Sequence, residues 1–210
     1  TEGAGGYELA LHLTGNYPDW WEGRRFDRPV SAWAAGDTYQ TTRDILQKKL
    51  LGRDEEDTFG TMLIPLTSIE GVTRRSGLSG SVESARIRHA SGGISVLTFK
   101  SFDQGRKSFQ GTEQAVILLD EEPDMGVYQE CLMRTMTGDG LIMLTFTPLQ
   151  GLSEVVLSFL GENAEMAEGE TATGKFVVNA GWDDAPHLDE ATKAELLASI
   201  PPFQRDARSR

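Results

Sequence analysis

The sequence predicts an α/β protein built on a mostly parallel sheet. The runs "AVILL" (115–119) and "LIMLTF" (141–146) are continuously apolar instead of alternating, as in strands covered on both faces by helices. Stretches of helical character fall between the strand candidates, which is how a layered α/β chain is ordered. Over 210 residues, 39% hydrophobic and 25% charged content suits a chain that buries a real core.

Taken in order, "VSAWAAG" (30–36) reads as a buried strand. Residues 38–51 follow as a helix, with Asp37 placed to cap it, Gly52 to end it, and Ile45, Leu46, Leu50 and Leu51 forming its apolar side. The acidic segment 53–60 reads as a loop. "GISVLTFKSF" (93–102) carries the β-branched and aromatic residues of a strand. "AVILL", "LIMLTFTP" (141–148) and "KFVVNAGW" (175–182) supply three more strands, with short helices at 127–136, 153–160 and 188–200. Asp189 or Glu190 sits favourably at the amino end of the last helix. Residues 161–174 form an acidic, small-residue connection, and "PPFQRDARSR" reads as a linker.

The net charge of -12 argues against nucleic acid binding over the whole surface, since phosphate contacts need clustered Lys and Arg. A local basic face is not excluded: Arg24, Arg25 and Arg28, Lys48 and Lys49, Arg74 and Arg75, Arg86 and Arg88, and Arg205, Arg208 and Arg210 bunch along the chain. Cys131 stands alone, so no internal disulfide forms, and the scattered histidines make a zinc site improbable. No apolar run approaches the roughly 20 residues of a membrane helix, and the amino terminus lacks signal-peptide character.

The stretch "AVILLDEEPDMGVYQE" (115–130) drives an apolar strand straight into Asp120, Glu121 and Glu122. Side chains at the carboxyl ends of buried strands in an open α/β sheet face the ligand crevice. A divalent cation makes such crowded anions favourable where they would otherwise repel. Asp120 is then the Mg2+ holder and Glu121 the group that orients or deprotonates an attacking water, the pattern of a Walker B segment. The bland alternative is a strand that simply runs out into solvent. "LTFTPLQG" (144–151) places Thr145 and Thr147 at the end of the next strand, where hydroxyls can sense a γ-phosphate, although threonine in a strand usually reflects β-propensity.

"LHLTGNYPDWWEGRRF", "GDTYQTTRDILQKKLLG", "LTFKSFDQGRKSFQG", "VILLDEEP" and "LTFTPLQG", in this order, resemble the ATPase domain of bacteriophage terminase large subunits, the DNA-packaging motors. "WDDAPHLDEATKAELLASIPPFQRDAR" resembles the segment leading towards that family's nuclease domain. The resemblance implies a three-layer P-loop NTPase-like fold, an ATPase core over 1–182, and a helix and linker over 183–210. It implies ATP and Mg2+ as ligands. The implied partners are double-stranded DNA, the portal protein, the terminase small subunit and a homo-oligomeric ring, in the bacterial host cytoplasm and without membrane. Carried over by position, Asp120 matches the metal-binding aspartate and Glu121 the catalytic glutamate. Thr145, Thr147 and Gly151 fall in the motif that couples nucleotide state to movement. Arg106 lies where an arginine of the family can reach a neighbouring subunit's ATP, an effect of about 10³ to 10⁵ in rate for phosphoryl transfer generally.

No G-x-x-x-x-G-K-[ST] phosphate loop occurs in these residues. On the resemblance, Thr1 is the last residue of that motif and a Mg2+-ligating hydroxyl, followed by a helix over 2–13. The lysine, the preceding glycines and the first strand then lie outside the chain. The isolated chain is therefore expected to bind ATP weakly or not at all. Gly3, Gly5 and Gly6 each weaken that helix by about 1 kcal/mol relative to Ala, so a frayed start is expected.

Other residues have structural readings. Arg106 equally reads as a surface arginine beside Lys107, and Phe109 with Gly111 as a packed turn. Trp20 and Trp21 read as a corner against the first helix, His89 and His187 as structural, and Asp183 and Asp184 as a turn. Glu122 reads as a paired or capping acid and Cys131 as a small buried residue. Two rival functions stay open: a metal-dependent nuclease using Asp120, Glu121 and Asp124, and a non-catalytic interaction module.

Overall fold

The computed structural model describes residues 2–53, 58–149, 151–159, 169–170, 174–184, 188–201 and 205. The readings made for Thr1, His187, Arg208, Arg210, 54–57 and most of 161–174 lie outside them. By compactness the chain divides into Thr1–Phe146 and Thr147–Arg210.

The first unit opens with α1 (Glu2–Thr14) and β1 (Ser31–Gly36). A helical stretch follows: α2 (Tyr39–Thr42), a π-helical turn (Arg43–Gln47) and α3 (Lys48–Leu51). Then come β2 (Ile69–Arg74), β3 (Val82–Arg88), β4 (Ile94–Ser101), two 3-10 turns, β5 (Val116–Asp120), α4 (Met125–Thr135) and β6 (Leu141–Thr145). The strands form one sheet in the order β2-β3-β4-β1-β5-β6. β4, β1, β5 and β6 are parallel, while β2 and β3 add an antiparallel end. The mostly parallel α/β architecture is the one the apolar runs predict.

Strand alternation sorts the core into two faces. Ala32, Ala34, Leu97, Phe99, Val116 and Leu118 join Leu9, Leu13, Leu46 and Leu50 in one apolar cluster under α1 and the helical stretch. The intervening residues point the other way, where Trp33 meets Phe109 edge-on at 5.8 Å. Every residue of β5 is buried. β6 differs from expectation: it closes one end of the sheet, and all five of its residues are only half-buried.

Details of the helices depart from the sequence reading for identifiable reasons. Thr38, not Asp37, caps α2, forming a reciprocal capping box with Thr41. The π-turn advances the register, so Leu46, Leu50 and Leu51 are buried while Ile45 is left 40% exposed. α1 is helical from Glu2. Its Gly5 has a packing role: a Cβ there would lie 2.7 Å from Leu118 Cδ1 and 3.0 Å from Thr145 Cγ2. Trp20 stacks on Tyr7 and Trp21 packs edge-on to His12, forming the aromatic corner against α1.

The second unit holds α5 (Glu154–Leu157), capped by Ser153, and α6 (Glu190–Ser199), capped by Asp189. A two-stranded pair lies between them, β7 (Gly169–Glu170) with β8 (Phe176–Val177). The strand expected over 175–182 is thus reduced to two residues, with Phe176 left 70% exposed. Trp182–Asp184 is a 3-10 turn.

Candidate active site

Asp120 ends β5 at the carboxyl edge of the sheet and is only 6% exposed. Across the parallel pair its register partner is Thr145. The Thr145 hydroxyl donates to Asp120 Oδ1 at 2.6 Å. The strands therefore place this hydroxyl against the carboxylate by geometry alone, and a charge-assisted bond of this kind fixes the rotamer of both groups.

Immediately after β5 the chain turns sharply. Glu121 adopts φ 80, the left-handed region that a side chain enters at a cost of about 1–3 kcal/mol. Its N–H donates to the Thr145 carbonyl at 2.9 Å, which locks the turn to β6. Glu121 is exposed whereas Asp120 is buried, so two successive acids meet different surroundings. Pro123 is buried behind them, and Asp124 accepts from Val127 N–H at 2.9 Å to cap α4.

Neighbouring strand ends crowd this acid. A Cβ on Gly36, at the end of β1, would stand 3.1 Å from Thr42 Oγ1 and 3.6 Å from the Asp120 carbonyl. Thr42, buried in α2, donates to the Lys100 carbonyl at 3.1 Å. Through Gly5, the first turns of α1 reach Leu118 and Thr145 on the same edge. A 13-residue helix thus begins beside the Asp120–Thr145 pair, and its unpaired amino-end N–H groups favour an anion.

Arg106 begins the 3-10 turn Arg106–Phe109. Lys100 Nζ donates to the Ser108 carbonyl at 2.6 Å and lies 4.5 Å above the Trp33 ring, anchoring that turn to the sheet. Burial depresses the Lys100 ammonium below its ordinary range. Arg106 Nε donates to Glu130 Oε2 at 3.1 Å, while Arg134 holds the other oxygen at 3.1 Å. A Cβ on Gly126 would lie 3.7 Å from Arg106 Cδ, so the arginine stem passes the amino end of α4. Arg106 is thus docked on a buried carboxylate, not merely a surface cation beside Lys107.

The remaining residues fall as follows. Thr147 belongs to the second unit, where its carbonyl accepts from Leu149 N–H at 2.7 Å and Gly151 has φ 72. Thr1 lies outside the described residues. His89 is buried with its ring on Ser91, and burial holds its pKa below the usual value. Cys131 is buried on α4. Among the described residues, no group of three or more His, Cys, Asp or Glu is placed to hold a metal ion. Sequence reasoning misses Thr42, Gly36 and Glu130. Of these only Glu130 leaves a trace, as an acid on the buried side of an otherwise apolar helix face.

The family model "Terminase large subunit, T4likevirus-type, N-terminal" matches residues 3–210. The chain belongs to the terminase large subunit family. It is 35% identical over 224 aligned positions to the terminase large subunit of Salmonella phage P22, covering 98% of this chain and 43% of that protein. It is 33% identical over 116 residues to the terminase large subunit of Enterobacteria phage LP7, 55% of this chain and 22% of that one. The chain therefore spans less than half the length of these relatives. Among solved structures it is similar to the large terminase of a thermophilic bacteriophage, crystal form 2, with TM-score 0.59 at 11% identity over 95% of this chain and 42% of that one. The same terminase in complex with ADP, crystal form 3, gives TM-score 0.56 at 10% identity with the same coverage. At such identities these structures speak to the terminase fold alone. Among the described residues no helix is long and apolar enough to cross a membrane.

Proposed function

We propose that these residues form the ATP-hydrolysing core of a DNA-packaging terminase motor. The observation that carries this reading is the buried Asp120 at the carboxyl end of β5, bonded to Thr145 and followed by the exposed Glu121 on a left-handed turn. The ADP complex of the thermophilic phage's large terminase supports nucleotide as the ligand class.

Mg2+ characteristically keeps one or two carboxylates and completes its shell with water and substrate phosphates. A single buried carboxylate beside the amino end of α1 fits that demand, and the Thr145 hydroxyl on Oδ1 holds Asp120 in place. Bound Mg2+–ATP would supply the electrophilic phosphorus and neutralise charge in the transition state. Asp120 holds the cation side of the site. Glu121 orients and deprotonates water. Thr145 ties β6 to the metal-binding acid, and Thr147 extends that strand end into the second unit as the coupling segment. Arg106, released from Glu130, would reach a neighbouring subunit's nucleotide in a homo-oligomeric ring. Arg134 would keep the Glu130 carboxylate paired meanwhile. In the whole motor this cycle would drive double-stranded DNA into a procapsid, with the portal protein and the terminase small subunit as partners, in the host cytoplasm. The nuclease alternative has less support, because Asp124 is committed to capping α4.

The test is a chimera in which residues 1–210 replace the matched region of the phage P22 large subunit. It should turn over ATP only with Mg2+. Glu121→Gln and Asp120→Asn should each lower the rate by about 10² or more, the usual contribution of a positioned base or charge stabiliser. Turnover unchanged by both substitutions would exclude this site.

A further inference from the structure

Two arginines share one buried carboxylate on α4. The Glu130 side chain is only 6% exposed; Arg106 Nε donates to its Oε2 at 3.1 Å, and Arg134 Nη2 stands 3.1 Å from its Oε1. Stripping a buried carboxylate of a sole cation is strongly destabilising. With two cations, one can leave while the other remains. They are held unequally. The Arg106 side chain is 62% exposed, and its guanidinium makes no other polar contact among the described residues. The Arg134 side chain is 23% exposed, lies one turn from Glu130 on the same helix, and donates through Nη1 to the Gly111 carbonyl at 2.6 Å. Arg106 is therefore the arm that can leave. An open cleft of about 640 Å3 beside it, lined by Gln110, Gln129 and Met133, gives its side chain room to swing.

A second seat for the carboxylate already exists. Arg134 Nε is buried and has no hydrogen-bond partner among the described residues. A buried donor left unsatisfied carries a desolvation cost that an acceptor would remove. Nε and Nη2 lie on one edge of a guanidinium, the edge through which Arg43 holds both oxygens of Asp44, at 2.8 and 3.2 Å. Once Oε2 loses Arg106, a small rotation of the Glu130 carboxylate brings it to Arg134 Nε, and that pair becomes bidentate. Filling the empty donor offsets part of the lost Arg106 contact.

We propose that Glu130 and Arg134 are positioning residues: the carboxylate moves between two seats and so sets when Arg106 is available. In the first seat Arg106 is paired and its charge is cancelled. In the second, Arg134 takes both oxygens and Arg106 is released with its charge intact. The use of the released arginine on a neighbouring subunit's nucleotide rests on the packaging-motor reading; the two seats do not.

NMR of the arginine side-chain N–H groups in the 210-residue chain reads the seats without any ATP chemistry. Arg106→Ala empties the first seat, so the Arg134 Nε–H proton should move downfield as it gains the carboxylate. A proton signal that stays where it is in the parent chain would overturn the two-seat switch. In the P22 chimera, Glu130→Gln leaves the Arg106 charge uncancelled and should raise ATP turnover several-fold, a gain that vanishes in an Arg106→Ala background. Arg134→Lys keeps the charge but removes the second seat, and should lower turnover several-fold. A merely structural ion pair predicts instead that both substitutions lower turnover in step with the melting temperature, and that result would overturn the positioning role. If Asp120→Asn and Glu121→Gln leave turnover unchanged while the Arg134 proton still moves, the motor reading falls and the switch stands. If those two abolish turnover and the Arg134 proton does not move, only the switch falls.

Discussion

The hydroxyl of Thr145 donates to the carboxylate of Asp120 across the β5–β6 pair at 2.6 Å. A buried carboxylate must satisfy its oxygens or lose much of its tolerance for charge. Thr145→Val keeps shape and removes the donor, so stability should fall by about 1.5–3 kcal/mol, the range for hydrogen bonds to charged groups. Thr145→Ser retains the bond and should fall by less. Urea unfolding of the two variants checks the difference; equal losses would mean that the methyl group, not the hydroxyl, matters.

Glu121 illustrates strain held at a site. Its φ of 80 belongs to the region that glycine enters freely. Glu121→Gly should therefore raise stability by about 1 kcal/mol. In the P22 chimera the same change should abolish turnover. A destabilised Glu121→Gly chain would remove the claim that this turn is kept for function at the expense of stability.

What is legible in the sequence follows from what burial demands of it. β5 is buried on both faces, so its five residues carry an unbroken signal, and the acid that ends it is conspicuous. β2 and β3 carry no such signal because they form the antiparallel end of the sheet. Charged residues such as Arg74, Arg86 and Arg88 interrupt them, and β2 carries a bulge between Ile69 and Gly71. The same lack of pattern hides the approach of the helical stretch to the β2–β3 turn, since Arg43, Gln47 and Tyr39 reach Ser79, Gly80 and Arg75 across a wide separation in sequence. The Asp120–Thr145 contact is foreseeable because parallel neighbours of equal reach end side by side. The Arg106–Glu130 pair depends on the path of a 3-10 turn, which no periodicity encodes.

The glycines of α1 separate propensity from packing. Gly3 has nothing within 4 Å of its Cβ position, so Gly3→Ala should stabilise by up to about 1 kcal/mol through helix propensity alone. At Gly5 an added Cβ would meet Leu118 at 2.7 Å and Thr145 at 3.0 Å. Overpacking of a filled core costs about 1–3 kcal/mol, which matches or exceeds the propensity gain. Gly5→Ala should therefore leave the chain no more stable, and Gly5→Val should be clearly worse. Thermal melts rank the three; a Gly5→Ala chain as stabilised as Gly3→Ala would show that α1 does not approach β5 and β6 this closely.

Cys131 makes a pH signature of the α4 face. Burial is the main influence on its thiol, pushing it up from 9.0 to about 12, against a lowering by nearby Lys100. Between those values the unfolded chain releases a proton that the folded chain keeps. Fewer protons are then bound in the unfolded state, so stability falls as pH rises, by at most about 1.4 kcal/mol per unit. Lys100 acts oppositely. Its depressed pKa means that the folded chain sheds its proton first, and stability rises with pH until the unfolded amine also titrates, near 10.4. Cys131→Ala removes the falling contribution and adds a cavity cost that does not vary with pH. The stability difference between the parent chain and Cys131→Ala should therefore shrink steadily above about pH 9. A difference that stays constant from there to about pH 10.5 would mean that the thiol ionises as readily folded as unfolded, and that it is not sealed beneath α4.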